Sequence, residues 1–289
     1  MVVALASWAG AASPSDRYRP PDGWRAPPSG PSGTAATVGD RAGEAPNVVL
    51  IAFSGRCALT SCTPPDENED ALSRTLVPAV VAAWSAAGLR VEAWTYRAHL
   101  DDDPVRGRGY RSAHADLDNA VQDGVLGPGA STRVVLLGYS HGTQFAHLLA
   151  FEHPDVRFAA SVLLDSICLG WDADHAAGLV AALAPGAGPW ADDGPYQVGC
   201  DVLSIPGLVG HLDLGDVVPW NVARSLEVRT GGQVVGAVRD VRTNVRPDGS
   251  RIGLDVVDLA DARHQEADEV GGAAFDRWVA WAFEVLDAD

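Results

Sequence analysis

Gly138-Tyr139-Ser140-His141-Gly142 is a G-x-S-x-G pentapeptide set between an apolar run and an amphipathic stretch. In that setting a sharp strand-to-helix turn can carry a serine hydroxyl out to the carboxyl end of a sheet. The flanking glycines suit such a turn, because strand and helix backbones approach too closely there for a Cβ. A serine hydroxyl is a poor nucleophile near neutral pH, so it needs a positioned base, and the base needs a carboxylate to orient it. The backbone N–H of His141, at the start of the helix, would point at a developing oxyanion. The plainer reading of the same residues is a strand-to-helix turn that happens to contain serine.

The elements that must position this turn follow from the hydropathy pattern. Residues 47–53 (NVVLIAF) and 133–138 (RVVLLG) are continuous apolar runs, as expected for strands covered on both faces. Helices are expected over 67–87, 113–122 and 141–152, the last ending at His153-Pro154, with further strands at 90–96 and 159–164. This alternation predicts an α/β fold, a predominantly parallel sheet with helices on both faces. Residues 169–200 break the rhythm with Gly, Pro, Ala and Trp and read as a lid-like insertion. Beyond it, 233–242 and 251–259 flank Pro247-Asp248-Gly249 and read as a hairpin, and 273–286 as a final helix with Phe275, Val279, Phe283 and Leu286 at core spacing.

The stretch GYSHGTQFAHLLAFEHPDVRFAASVLLDS resembles the nucleophile turn, following helix and next strand of the α/β-hydrolase superfamily. In motif order the chain is most similar to the class 3 (fungal-type) lipases, since IAFSGR resembles their oxyanion strand and GDVVP the motif that carries their acid. It departs from them at Arg56, where they usually have a small hydroxyl residue, and at Tyr139 and His141, where they favour His and Leu. The resemblance implies a Ser/Asp/His triad in that chain order. Ser140 would be the nucleophile and His264, between the last β run and the final helix, the base. Asp216 would be the acid, on a loop that Pro219 and two β-branched residues fix. Asp165, at the end of the 159–164 strand, is the alternative acid, because some lipases take the acid from that strand; Asp213 is a third. His99 and His211 rival His264, while His141, His147 and His153 lie on or at the ends of the elbow helix. The resemblance also places the Arg56 N–H beside the acyl carbonyl as the second oxyanion donor. The Arg56 guanidinium could instead bind a substrate carboxylate or phosphate, or pair with the acidic run 66–70. Trp171, Trp190 and Trp220 could line an acyl or aromatic pocket, or could simply pack the insertion.

Composition narrows the classes. With 289 residues, 47% hydrophobic, the chain has the makings of a sizeable core. A net charge of −17 disfavours nucleic acid and anionic membrane surfaces as partners. There is no apolar run long enough for a transmembrane helix. All 21 basic residues are Arg, so Schiff-base chemistry on lysine is excluded. The cysteines at 57, 62, 168 and 200 lack C-x-x-C spacing, which argues against a thiolate metal site. Two disulfides, Cys57 with Cys62 and Cys168 with Cys200, would suit an exported protein; free buried thiols are equally open. Residues 1–46 read as a leader or disordered tether with a signal-like apolar start, though no basic residue precedes it. That points to a secreted or periplasmic protein, and a cytoplasmic one with an apolar leader also fits. Residues 47–289 would then form one hydrolase domain.

These readings converge on a serine hydrolase cleaving carboxylic esters, a lipase or carboxylesterase acting through an acyl-enzyme on a small-molecule or lipid ester. No metal or organic cofactor is implied. The alternative is a hydrolase-fold protein that has lost catalysis and binds an acyl or aromatic ligand. A third reading is an acidic surface protein whose leader matters more than its pocket. No protein partner is indicated.

Overall fold

The computed structural model describes residues 46–55, 72–102, 108–166, 217–231 and 244–288. Six strands form one sheet: β1 (Val48–Phe53), β2 (Val91–Tyr96), β3 (Arg133–Tyr139), β4 (Phe158–Leu164), β5 (Val222–Thr230) and β6 (Leu254–Leu259). Their order across the sheet is β2-β1-β3-β4-β5-β6, and every neighbouring pair is parallel. Parallel neighbours need crossovers, and four α-helices accompany the strands among the described residues: α1 (Val77–Ala86), α2 (Tyr110–Gln122), α3 (Gly142–Glu152) and α4 (Ala273–Ala288). A π-helical turn, Leu72–Leu76, leads into α1.

Side-chain alternation splits the core in two. Val49, Ile51 and Phe53 of β1 and Leu136 of β3 pack with Leu117 of α2 and Phe145 and Leu149 of α3. Leu50, Val135, Leu137 and Val162 pack on the opposite face with Val80 and Trp84 of α1 and Trp278 and Leu286 of α4. A sheet covered on both sides explains why β1, β3 and β4 are almost wholly apolar.

β5 is the strand that the hydropathy pattern does not announce. Arg224, Ser225, Glu227 and Arg229 interrupt its apolar residues, and the fold gives each a partner. Arg224 binds Asp255 of β6 at 2.5 Å, Arg229 binds Asp258 at 2.7 Å, and the Ser161 hydroxyl of β4 lies 2.7 Å from that of Ser225. The run at 251–259 contains β6, which among the described residues pairs in parallel with β5, while the other run of the expected hairpin is 233–242. That run lies outside the described residues. Pro247-Asp248-Gly249 does form a tight turn, closed by Gly249 N–H donating to the Arg246 carbonyl at 2.8 Å with Gly249 at φ 81°. The leader, the insertion at 169–200 and all four cysteines also lie outside the described residues.

Candidate active site

Ser140 sits in the turn between β3 and α3 at φ 53°, a left-handed conformation that non-glycine residues rarely hold. The turn is pinned on both sides. Ser140 N–H donates to the Leu164 carbonyl of β4 at 2.8 Å, and the Thr143 hydroxyl donates to the Ser140 carbonyl at 2.7 Å. A Cβ at Gly138 would stand 2.6 Å from Thr143 Cα, and one at Gly142 would stand 2.4 Å from the Ser54 carbonyl oxygen. Both glycines of the pentapeptide are therefore required by close backbone approach.

The turn after β1 lies against the same serine. A Cβ on Gly55 would fall 3.1 Å from Ser140 Cβ and 2.8 Å from the Tyr139 ring. Arg56, the next residue, lies outside the described residues. His141 is buried and stands in helical conformation at the N-cap of α3, so its N–H lies at the N-terminal end of that helix.

His264 occupies a short 3-10 turn, His264–Glu266, that follows β6. Its Nδ1 lies 2.6 Å from Asp165 Oδ2, and both residues are buried. Asp165 ends β4 at φ 46°, the only other described non-glycine residue with positive φ. Its carboxylate also accepts the Thr230 N–H at 2.8 Å and the Thr230 hydroxyl at 2.7 Å, both from the end of β5. An ionised carboxylate only accepts, so the Nδ1 contact fixes the proton on Nδ1 and leaves Nε2 as the basic nitrogen. The His264 ring stacks on Tyr139 with centroids 5.1 Å apart, and the Tyr139 hydroxyl donates to the His264 carbonyl at 3.4 Å. Burial raises that phenol well above its ordinary value, with Asp268 and Asp165 adding to the effect, so it stays a donor. Asp268, a second carboxyl facing His264, is pushed up to about 6 by burial.

Ser140, Asp165 and His264 thus come from the ends of β3, β4 and the segment after β6, all at the carboxyl edge of one parallel sheet. They stand on the α/β fold expected from the sequence, a parallel sheet covered by helices on both faces. No protein-family model and no curated protein matches the sequence. Similar solved structures include the RedJ thioesterase of the prodiginine pathway of Streptomyces coelicolor, at 12% identity and TM-score 0.40, covering 88% of this chain and 91% of that one. A sugar hydrolase, YeeB of Lactococcus lactis, is similar at 12% identity and TM-score 0.41, covering 88% and 96%. MPT51 of Mycobacterium tuberculosis is similar at 14% identity and TM-score 0.42, covering 84% and 90%. Likenesses this distant say nothing about chemistry, which rests on the residues of this chain.

The remaining sequence candidates are placed as follows. Asp216, Asp213, His211, Trp171 and Trp190 lie outside the described residues. Trp220 stands under the Arg246 guanidinium at 5.4 Å from ring centroid to Cζ. That guanidinium is buried and donates to the carbonyls of Pro219, Val222, Ala223 and Ile252 at 2.8–3.1 Å, so Trp220 helps to cover a structural arginine. His99 lies in the segment after β2, where its carbonyl accepts the Tyr110 N–H. His147 is buried within α3, and His153 ends that helix. Thr230 was not among the sequence candidates. Its signal is weak, a hydroxyl at the end of a strand that is itself hard to recognise.

Proposed function

We propose that this protein is a serine hydrolase cleaving carboxylic esters, with Ser140 as nucleophile, His264 as general base and acid, and Asp165 as the carboxylate that orients the imidazole. The reading is carried by the 2.6 Å contact between Asp165 and His264 at the sheet edge where Ser140 is held at φ 53°. Ser140 Oγ attacks the ester carbonyl as His264 Nε2 takes its proton. His264 then returns that proton to the departing alcohol, leaving an acyl-serine. Water, deprotonated by the same nitrogen, attacks the acyl carbon and releases the acid with Ser140 restored. The carboxylate of Asp165 balances the transient imidazolium without itself taking a proton.

The tetrahedral intermediate places negative charge on the former carbonyl oxygen. The His141 N–H is one donor for it, and the Arg56 N–H is the second in this reading, since Gly55 already packs against Ser140. Lipase or carboxylesterase activity fits this machinery, and the class 3 lipase resemblance favours an acyl ester with a lid formed by 169–200. Export, with two disulfides, belongs to the same proposal.

Incubation with a fluorophosphonate, followed by intact mass and peptide mapping, tests the reading. Stoichiometric labelling at Ser140, abolished in Ser140→Ala, is expected. A p-nitrophenyl ester chain-length series then separates esterase from lipase. A folded sample that neither labels nor turns over any ester would overturn the proposal and favour a ligand-binding protein.

A further inference from the structure

The surface between α2 and α3 holds a second cluster with chemistry of its own. His114 and Asp118 lie one turn apart on α2 and so share a face, and His153 ends α3 beside them. His114 Nδ1 is 3.2 Å from Asp118 Oδ2, and His153 Nδ1 is 3.6 Å from Asp118 Oδ1. One ligand atom from each of the three residues lies within 4.8 Å of the other two. We propose that His114, Asp118 and His153 form a binding site for a divalent transition-metal ion of the zinc type, clamping α2 to α3.

The separations suit such an ion. Ligands held 2.0–2.2 Å from a tetrahedral centre stand roughly 3.3–3.6 Å apart, close to the 3.2 and 3.6 Å from the two imidazoles to the two oxygens of Asp118. Two imidazoles and one carboxylate are the donor set that zinc, cobalt and nickel favour over magnesium or calcium. His153 is only 7% exposed. At 3.6 Å its Nδ1 makes no hydrogen bond to Asp118. Its Nε2 is buried and has no hydrogen-bond partner among the described residues. The His153 ring packs on the His114 ring, with centroids 4.4 Å apart, so the two imidazoles stand side by side.

The surroundings already have the form of an outer shell. The other ring nitrogen of His114, Nε2, lies 3.7 Å from Glu152 Oε2, and the Tyr110 hydroxyl donates to that same carboxylate. At 3.7 Å the Glu152 carboxylate stands behind the imidazole without a hydrogen bond to it. On the His153 side, Asn221 Nδ2 donates to the carbonyls of Ala150, His153 and Val156 at 2.8, 2.9 and 3.1 Å, which fixes the backbone that carries the ring. His114 and Asp118 are part exposed, which leaves an entry path and room for a water as fourth ligand. The 11-residue α3 separates His153 from the Ser140 turn by about 16 Å, so this cluster is not the triad.

The test uses full-length protein stripped with EDTA and titrated with Zn²⁺ by calorimetry, with metal content by mass spectrometry. Co²⁺ reports ligand geometry through its visible absorption. One equivalent is expected, with a tetrahedral cobalt spectrum. At a hundredfold excess over Kd the Tm should rise by about 5 °C. His114→Ala and Asp118→Ala, both at part-exposed positions, should each weaken binding at least tenfold. His153→Gln should do the same, and none should change fluorophosphonate labelling of Ser140. The proposal is overturned if the stripped protein takes up no Zn²⁺, or if affinity and cobalt spectrum are the same in wild type, His114→Ala and Asp118→Ala. The latter would place the metal on other ligands.

Discussion

The Asp165 carboxylate and the His264 imidazole meet at 2.6 Å although 99 positions separate them in the chain. One ends β4 and the other follows β6, so it is the completed parallel sheet that brings them to the same edge. If Asp165 orients the base, Asp165→Asn should lower kcat by about 10⁴ with the fold intact, because the amide can stabilise the wrong tautomer. Asp216→Asn should stay within roughly threefold of wild type. Steady-state kinetics on the pair decides between the two carboxylates: a collapse confined to Asp216→Asn would assign the acid to the GDVVP loop.

Thr230 holds the free positions of that carboxylate with its N–H and its hydroxyl. Thr230→Val keeps the backbone bond and the shape but removes the hydroxyl, at a cost of about 1 kcal/mol in stability. As a positioning residue it should lower kcat with little change in KM, and Thr230→Ser should recover most of the loss. Equal kcat in wild type and Thr230→Val would reduce Thr230 to a packing role.

The elbow and its flanking strands were legible in the sequence because a strand buried on both faces must be apolar throughout, as 47–53 and 133–138 are. The order of strand, glycine-flanked serine and helix was legible for the same reason. β5 was not, since its burial is achieved by pairing Arg224, Ser225 and Arg229 with residues of neighbouring strands, contacts that no local pattern encodes. Asp165 and His264 could be named as candidates, but their pairing depends on the register of β4 to β6. Asp216 of the GDVVP motif lies outside the described residues, and Asp165, directly after a buried strand, is the carboxylate that the described residues bring to His264. The cluster of His114, Asp118 and His153 was not legible in the sequence, because His153 arrives from another helix.

Close approach at the elbow makes a prediction about stability. A Cβ at Gly142 would stand 2.4 Å from the Ser54 carbonyl and 2.5 Å from that of Phe53, and neither backbone can yield without moving β1. Gly142→Ala should therefore destabilise the fold by about 1–3 kcal/mol despite the better helix propensity of alanine. Urea unfolding measures this directly. A stability equal to or above wild type would mean that the turn after β1 is not held against α3.

Glu227 gives the stability a pH dependence of defined sign. It is buried in β5, and its hydrogen bond is a 3.4 Å contact from Asn244 N–H. Burial pushes its carboxyl up to about 7, against the opposing pull of Arg229. A carboxyl raised on folding binds more protons in the native state than in the unfolded one between about pH 4.5 and 7. Its contribution is therefore full below the lower value and is lost as pH rises through the upper one. Between pH 5 and 8 the loss from this group is on the order of 3 kcal/mol. Glu227→Gln has no proton to lose, so its urea midpoint should fall less than that of wild type over that range. Parallel curves for the two proteins would show that Glu227 is ionised throughout.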